Sequence, residues 1–125
     1  MSLNDAQLRV WSWRLRMALP VNGSVAVRNR GLHIDLLREE LDETTAALSA
    51  GDVVGVADGL ADLIVVALGV AADCGIDLSP VFDEVMKSNA TKTPGNLRPD
   101  GKLGKGDAFV RPDLETVLAK QGWKR

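Results

Sequence analysis

The sequence predicts an all-α fold, a four-helix-bundle-like domain with an irregular C-terminal arm. Three observations predict it. Apolar residues over positions 30–50 recur at spacings of three and four, the period of a helix face. No stretch alternates apolar and polar residues with the period of a strand. Capping and breaking residues stand at the ends of the periodic runs, where helices start and stop.

Asn4 is the expected cap of a first helix, with Asp5 in its first turn, running to about Ala18. Pro20, Asn22 and Gly23 then break the chain. A second helix is expected from about Arg30 to Ala50, with Leu37, Leu41 and Leu48 as its core stripe and Thr44 between them. Gly51 ends it, and Asp52 caps a third helix that reaches Cys74 before Gly75. This helix is apolar nearly all round in its second half, which places it at the centre of the fold. Ser79-Pro80 offers a cap followed by proline at the first helical position of a fourth helix, ending near Asn89. The helical core is thus expected over about 4–92 and the arm over 93–125, within a single domain. The arm is rich in Gly, Pro, Lys and Arg to Arg111, and a short last helix is expected over Pro112–Lys120.

Composition narrows the function classes. With 46% apolar and 26% charged residues the chain is globular rather than disordered. A net charge of −2 gives no bulk attraction to nucleic acid or to an anionic membrane. Cys74 is the only cysteine, which excludes an internal disulfide and fits a reducing compartment. The start of the chain carries acid and arginine before any apolar run, unlike a signal peptide. The strongly apolar run Leu63–Ala72 is about half of what a bilayer span needs. A soluble cytoplasmic protein is therefore expected, with neither nucleic acid nor membrane as partner.

The chemistry-bearing residues are acids. The second helix carries Glu39, Glu40 and Glu43; the third carries Asp58 and Asp62, four apart on one face above Val65, Gly69 and Ala72. If the two helices fold back on each other at Gly51, Glu43 and Asp58 fall at one height and Glu40 and Asp62 at another, roughly 11 and 16 Å from the turn. Four carboxylates then converge where the facing positions supply no Lys or Arg. Left alone they repel one another and take up protons. Hard oxygen donors without His or Cys point to Mg²⁺, or Mn²⁺, rather than Zn²⁺. Either acid pair taken singly also fits a solvated helix surface.

Glu40-x-x-Glu43, a turn, and an acidic pair ending in Asp62-Leu63 resemble the MazG-like all-α nucleoside triphosphate pyrophosphohydrolases. Further segments resemble that family in the same order. They are Trp13 to Pro20, Gly75 to Leu78, Val81 to Val85, Ser88-Asn89-Ala90-Thr91-Lys92, Asp100-Gly101-Lys102 and Pro112-Asp113-Leu114. The resemblance implies a helical bundle built as a homodimer or homotetramer. It implies Mg²⁺-dependent cleavage of a nucleoside triphosphate between the α- and β-phosphates, giving a monophosphate and pyrophosphate. Glu40, Glu43 and Asp62 match the family's metal ligands, and Glu39 matches an acid that orients the attacking water. Asn89 and Lys92 match positions near the bound phosphates.

The chain departs from the pattern at one acid. The family's second motif, E-x-x-D, would put its glutamate at Gly59; here Asp58, one residue earlier, shares a face with Asp62. The aromatic residues that many members carry after the last acid are also absent. Base contact therefore falls to Trp11, Trp13, Phe82, Phe109 or a partner subunit. Trp11 and Trp13 point to nearly opposite sides of their helix, so at least one is core or interface. His33, the only histidine, is expected on the helix surface, and Cys74 is expected to be inert. Two alternatives remain. One is a phosphoribosyl-ATP pyrophosphohydrolase, against which the basic arm and the Ser88–Lys92 segment argue. The other is an inactive helical dimerisation or binding module, which Gly59 favours.

Overall fold

The computed structural model describes residues 1–125 and contains five helices and no strand. They are α1 (Leu3–Arg16), α2 (Arg30–Ala50), α3 (Val53–Asp73), α4 (Leu78–Asn89) and α5 (Leu114–Ala119). The chain divides into two compact units, 1–78 and 79–125.

In the first unit α3 packs against both α2 and α1, as its apolar sequence leads one to expect. Val10, Leu68, Ala71, Ala72 and Cys74 form the buried apolar core. Gly51 takes the left-handed conformation (φ 67°) that closes α2, and the Asp52 N–H reaches back to Ala47 O at 2.9 Å. The Asp52 side chain then accepts from Gly55 N at 3.0 Å and starts α3. A turn this tight makes α2 and α3 an antiparallel hairpin. By length and composition α3 could also cross a bilayer, although Asp58 and Asp62 interrupt its apolar surface.

Several sequence expectations change here. The cap of α1 is Ser2, not Asn4. The Ser2 hydroxyl accepts from Asp5 N while the Asp5 carboxylate accepts from Ser2 N, so one reciprocal pair satisfies two backbone donors. The helix also ends early, because Ala18 turns left-handed (φ 55°). α4 begins at Leu78, whose N–H donates to Gln7 Oε1 at 2.6 Å. Pro80 is its third residue, a position tolerated because first-turn N–H groups have no helical acceptor. The stripe of α2 is not core within the chain: Leu41 and Leu48 are 51% and 59% exposed, and only Thr44 of that series is buried. α2 meets α3 through small residues instead, which leaves the leucines beside the contact uncovered.

His33 is likewise buried, not on the surface, at 6% exposure. Its Nε2 lies 2.7 Å from Asp73 Oδ2, the last residue of α3. The segment between α1 and α2 crosses the end of α3, with Asn22 N donating to Ala72 O and Ala26 N to Cys74 O. Gly75 makes the crossing possible, since a Cβ there would run into the carbonyl groups of Asn22 and Ser24.

In the second unit the arm is irregular, as expected, with one isolated bridge between Leu97 and Leu103. It is tied to α4: Ser88 Oγ donates to Val110 O, Val110 N to Thr91 Oγ1, and Asp113 N to Glu84 Oε1. These bonds explain why most of α4 belongs with the arm rather than with the first three helices. Lys105 sits 5.1 Å from the centre of the Phe109 ring. Asp113 caps α5.

Candidate metal centre

The hairpin brings Glu40, Glu43 and Asp62 together. One carboxylate oxygen from each lies within 4.8 Å of the others. The cause is register. Thr44 on α2 meets Gly59 on α3, and Ala47 meets Gly55, one turn nearer to the bend. The next turn away from the bend sets Glu40 opposite Asp62. Thr44 Oγ1 donates to Glu40 O at 2.6 Å, an i−4 bond that keeps the hydroxyl satisfied in this tight place.

Glu40 is half-buried and its Oε2 is buried without a hydrogen-bond partner. Burial pushes its carboxyl above the usual glutamate range, and the charges of Asp62, Glu43, Glu39 and Asp58 push it further the same way. None of these five acids takes part in an ion pair. A half-buried carboxylate crowded by four others, with one oxygen unsatisfied, is what a site needs to receive a divalent cation. The all-carboxylate donor set suits a hard ion. The residues present thus fit a divalent metal.

Asp58 stands outside the close group. It is exposed and lines, with Glu43, a cleft that continues toward Asp52 and Gly55. Glu39 is exposed on α2. Trp13, 39% exposed, lines an apolar groove between α1 and α3 with Ile64 and Val65. Trp11 is half-buried, and its Nε1 has no acceptor. Asn89 and Lys92, both half-buried, belong to the second unit, where Lys92 N donates to Asn89 O at 3.1 Å.

Sequence reasoning passed over Thr44, Gly59, His33 and Asp73 as members of one arrangement. Two signals were present. A glycine inside a helix marks a close approach of another backbone. An aspartate at a helix C-terminus is opposed by the macrodipole and so implies a partner.

Among known proteins, a family model described as phosphoribosyl-ATP pyrophosphohydrolase matches residues 23–89. This span includes α2, α3, every acid of the candidate centre and all of α4. No curated protein matches the chain.

Proposed function

The chain belongs to the phosphoribosyl-ATP pyrophosphohydrolase family, within the MazG-like all-α superfamily, and from that premise we propose a Mg²⁺-dependent nucleoside triphosphate pyrophosphohydrolase. It would convert an NTP or dNTP to the monophosphate and pyrophosphate. The observation that carries this is the Glu40–Glu43–Asp62 group with its unsatisfied Glu40 oxygen. In this proposal those three side chains hold Mg²⁺, or Mn²⁺, and Asp58 adds negative charge at the rim. A cation held there would supply Lewis acidity, acidifying a water and offsetting charge on the α-phosphoryl group. Glu39 orients the attacking water and accepts its proton. The resemblance assigns Asn89 and Lys92 to the phosphates, and Trp11 or Trp13 is proposed for the base because the family's aromatic residues after Asp62 are absent.

The same proposal includes a homodimer or homotetramer in the cytoplasm, with no nucleic-acid or membrane partner. The exposed leucines of α2 and the exposed Leu60 and Ile64 of α3 support assembly, since such a surface is costly to leave in water.

A second reading takes phosphoribosyl-ATP as substrate, and the description of the matched family favours it. The basic arm and the Ser88–Lys92 segment favour a nucleoside triphosphate. Both substrates lose pyrophosphate, so the centre would serve either. Incubation with the common NTPs and dNTPs and with phosphoribosyl-ATP, in ¹⁸O-water with Mg²⁺, separates them. Pyrophosphate release with label in the nucleoside monophosphate is expected. Turnover of phosphoribosyl-ATP alone would establish the second reading. Label in the pyrophosphate would refute attack at the α-phosphorus. No turnover and no Mg²⁺ binding would leave an inactive helical module.

A further inference from the structure

α2 buries only two of its 21 residues, His33 and Thr44, and these flank Glu40. At about 100° per residue, His33, Glu40 and Thr44 share the face that looks toward α3. Thr44 rests on Gly59, near the closed end of the hairpin. Contacts between small residues set how closely the helices approach there. The open end is held by other means. The Asp73 carboxylate, 1% exposed, accepts from Asn22 Nδ2 at 2.8 Å, from Asn29 Nδ2 at 2.7 Å and from His33 Nε2 at 2.7 Å. Asn29 takes the N-cap place of α2 in a left-handed conformation and makes no side-chain cap bond; its Nδ2 donates to Asp73 instead. The last residue of α3 is therefore bound to the first turn of α2 and to the segment leading into it.

From this arrangement we infer that the His33–Asp73 pair is a positioning clamp for the metal centre, holding α2 and α3 at the separation where Glu40 and Asp62 share one small cation. The inference rests on the metal reading above and deepens it. His33 lies roughly 10 Å along α2 from Glu40, and Asp73 roughly 16 Å along α3 from Asp62. Neither residue touches the ion or the substrate; both act through the helices. The consequence is selectivity. Mg²⁺ demands near-ideal octahedral geometry at short distances, whereas Ca²⁺ accepts longer and more irregular coordination. Releasing the clamp should therefore weaken Mg²⁺ binding and spare Ca²⁺.

Calorimetric titration of the full chain with Mg²⁺ and separately with Ca²⁺, well below the unfolding midpoint, reads this directly. His33→Ala and Asp73→Asn are expected to weaken Mg²⁺ about tenfold, the lower end of what displaced supporting residues cost a metal site. Ca²⁺ affinity should stay near that of the wild type. His33→Gln, whose amide can replace Nε2 as donor to Asp73, should recover most of the Mg²⁺ affinity. Val10→Ala, which loosens the core at α1, should leave the ratio of the two affinities unchanged. If His33→Ala does not fold, Asp73→Asn and the His33→Gln recovery decide. Parallel loss of both ions, or unchanged Mg²⁺ affinity in a folded clamp variant, would overturn the inference. Wild-type protein that binds neither ion would refute the metal reading, and the clamp with it. Wild-type binding with identical variants refutes the clamp alone.

Discussion

Gly59 on α3 lies directly against Thr44 on α2, so close that a Cβ at position 59 would collide with the threonine hydroxyl and lie 3.0 Å from its Cβ. The position that the family motif would give to a glutamate is thus the packing contact that sets the register of the acids. Gly59→Ala should overpack this contact at about 1–3 kcal/mol, against about 1 kcal/mol gained in helix propensity. A net loss of stability is expected in thermal unfolding. Gly59→Glu should lose Mg²⁺ affinity as well as stability. An active, metal-binding Gly59→Glu protein would show that the helices can reset around a fourth ligand. Asp58→Asn should then be nearly silent, because Asp58 stands outside the close group.

Glu40→Gln and Asp62→Asn should each remove a ligand charge and lower turnover by about a hundredfold or more, as loss of a preorganised charged group does. The helices should stay folded, and the metal-free Glu40→Gln protein should melt higher than the wild type. The sign follows from the raised Glu40 carboxyl. Its folded form binds a proton more tightly than the unfolded chain, so its ionisation destabilises the fold as pH rises above the ordinary value of 4.5. The gap in melting temperature between Glu40→Gln and wild type should therefore open above about that pH and close below it. Mg²⁺ should narrow it, by binding the wild type alone.

Asp73 behaves in the opposite sense. Burial pushes its carboxyl up, but hydrogen bonds from Asn29 and His33, together with the charges of His33 and Arg14, outweigh this and hold it below 3.8. A depressed carboxyl contributes stability that is present above the unfolded value and lost as pH falls through the folded one. Asp73→Asn should cost about 2 kcal/mol at neutral pH, because the donors of Asn22, Asn29 and His33 lose the carboxylate that satisfies them. The difference from wild type should shrink only below pH 3.8, in acid unfolding followed by circular dichroism.

Leu41 and Leu48 stand more than half exposed beside the contact of α2 with α3. If a second copy covers them, the double change Leu41→Glu and Leu48→Glu should yield monomer in sedimentation velocity at concentrations where the wild type is a dimer or larger. A wild type that sediments as a fully stable monomer would remove the assembly from the proposal.

The sequence by itself determined what depends on neighbours three and four residues away. The extents of α2 and α3, the left-handed stop at Gly51, the start at Asp52 and the irregular arm all follow from such local rules. The convergence of Glu40, Glu43 and Asp62 was also legible, because a tight turn converts equal distances along the chain into equal heights. Only the tertiary structure decided which edge of the stripe face of α2 meets α3. Thr44 belongs to that stripe, and Gly55 and Gly59 let the helices approach along Thr44 and Ala47, so steric access tilted the contact away from Leu41 and Leu48. The same holds for His33 and Asp73, forty residues apart. Nothing in the surroundings of either names the other. Their pairing exists because the segment over Gly75 folds Asn22 and Asn29 onto the end of α3, where a buried carboxylate must find donors.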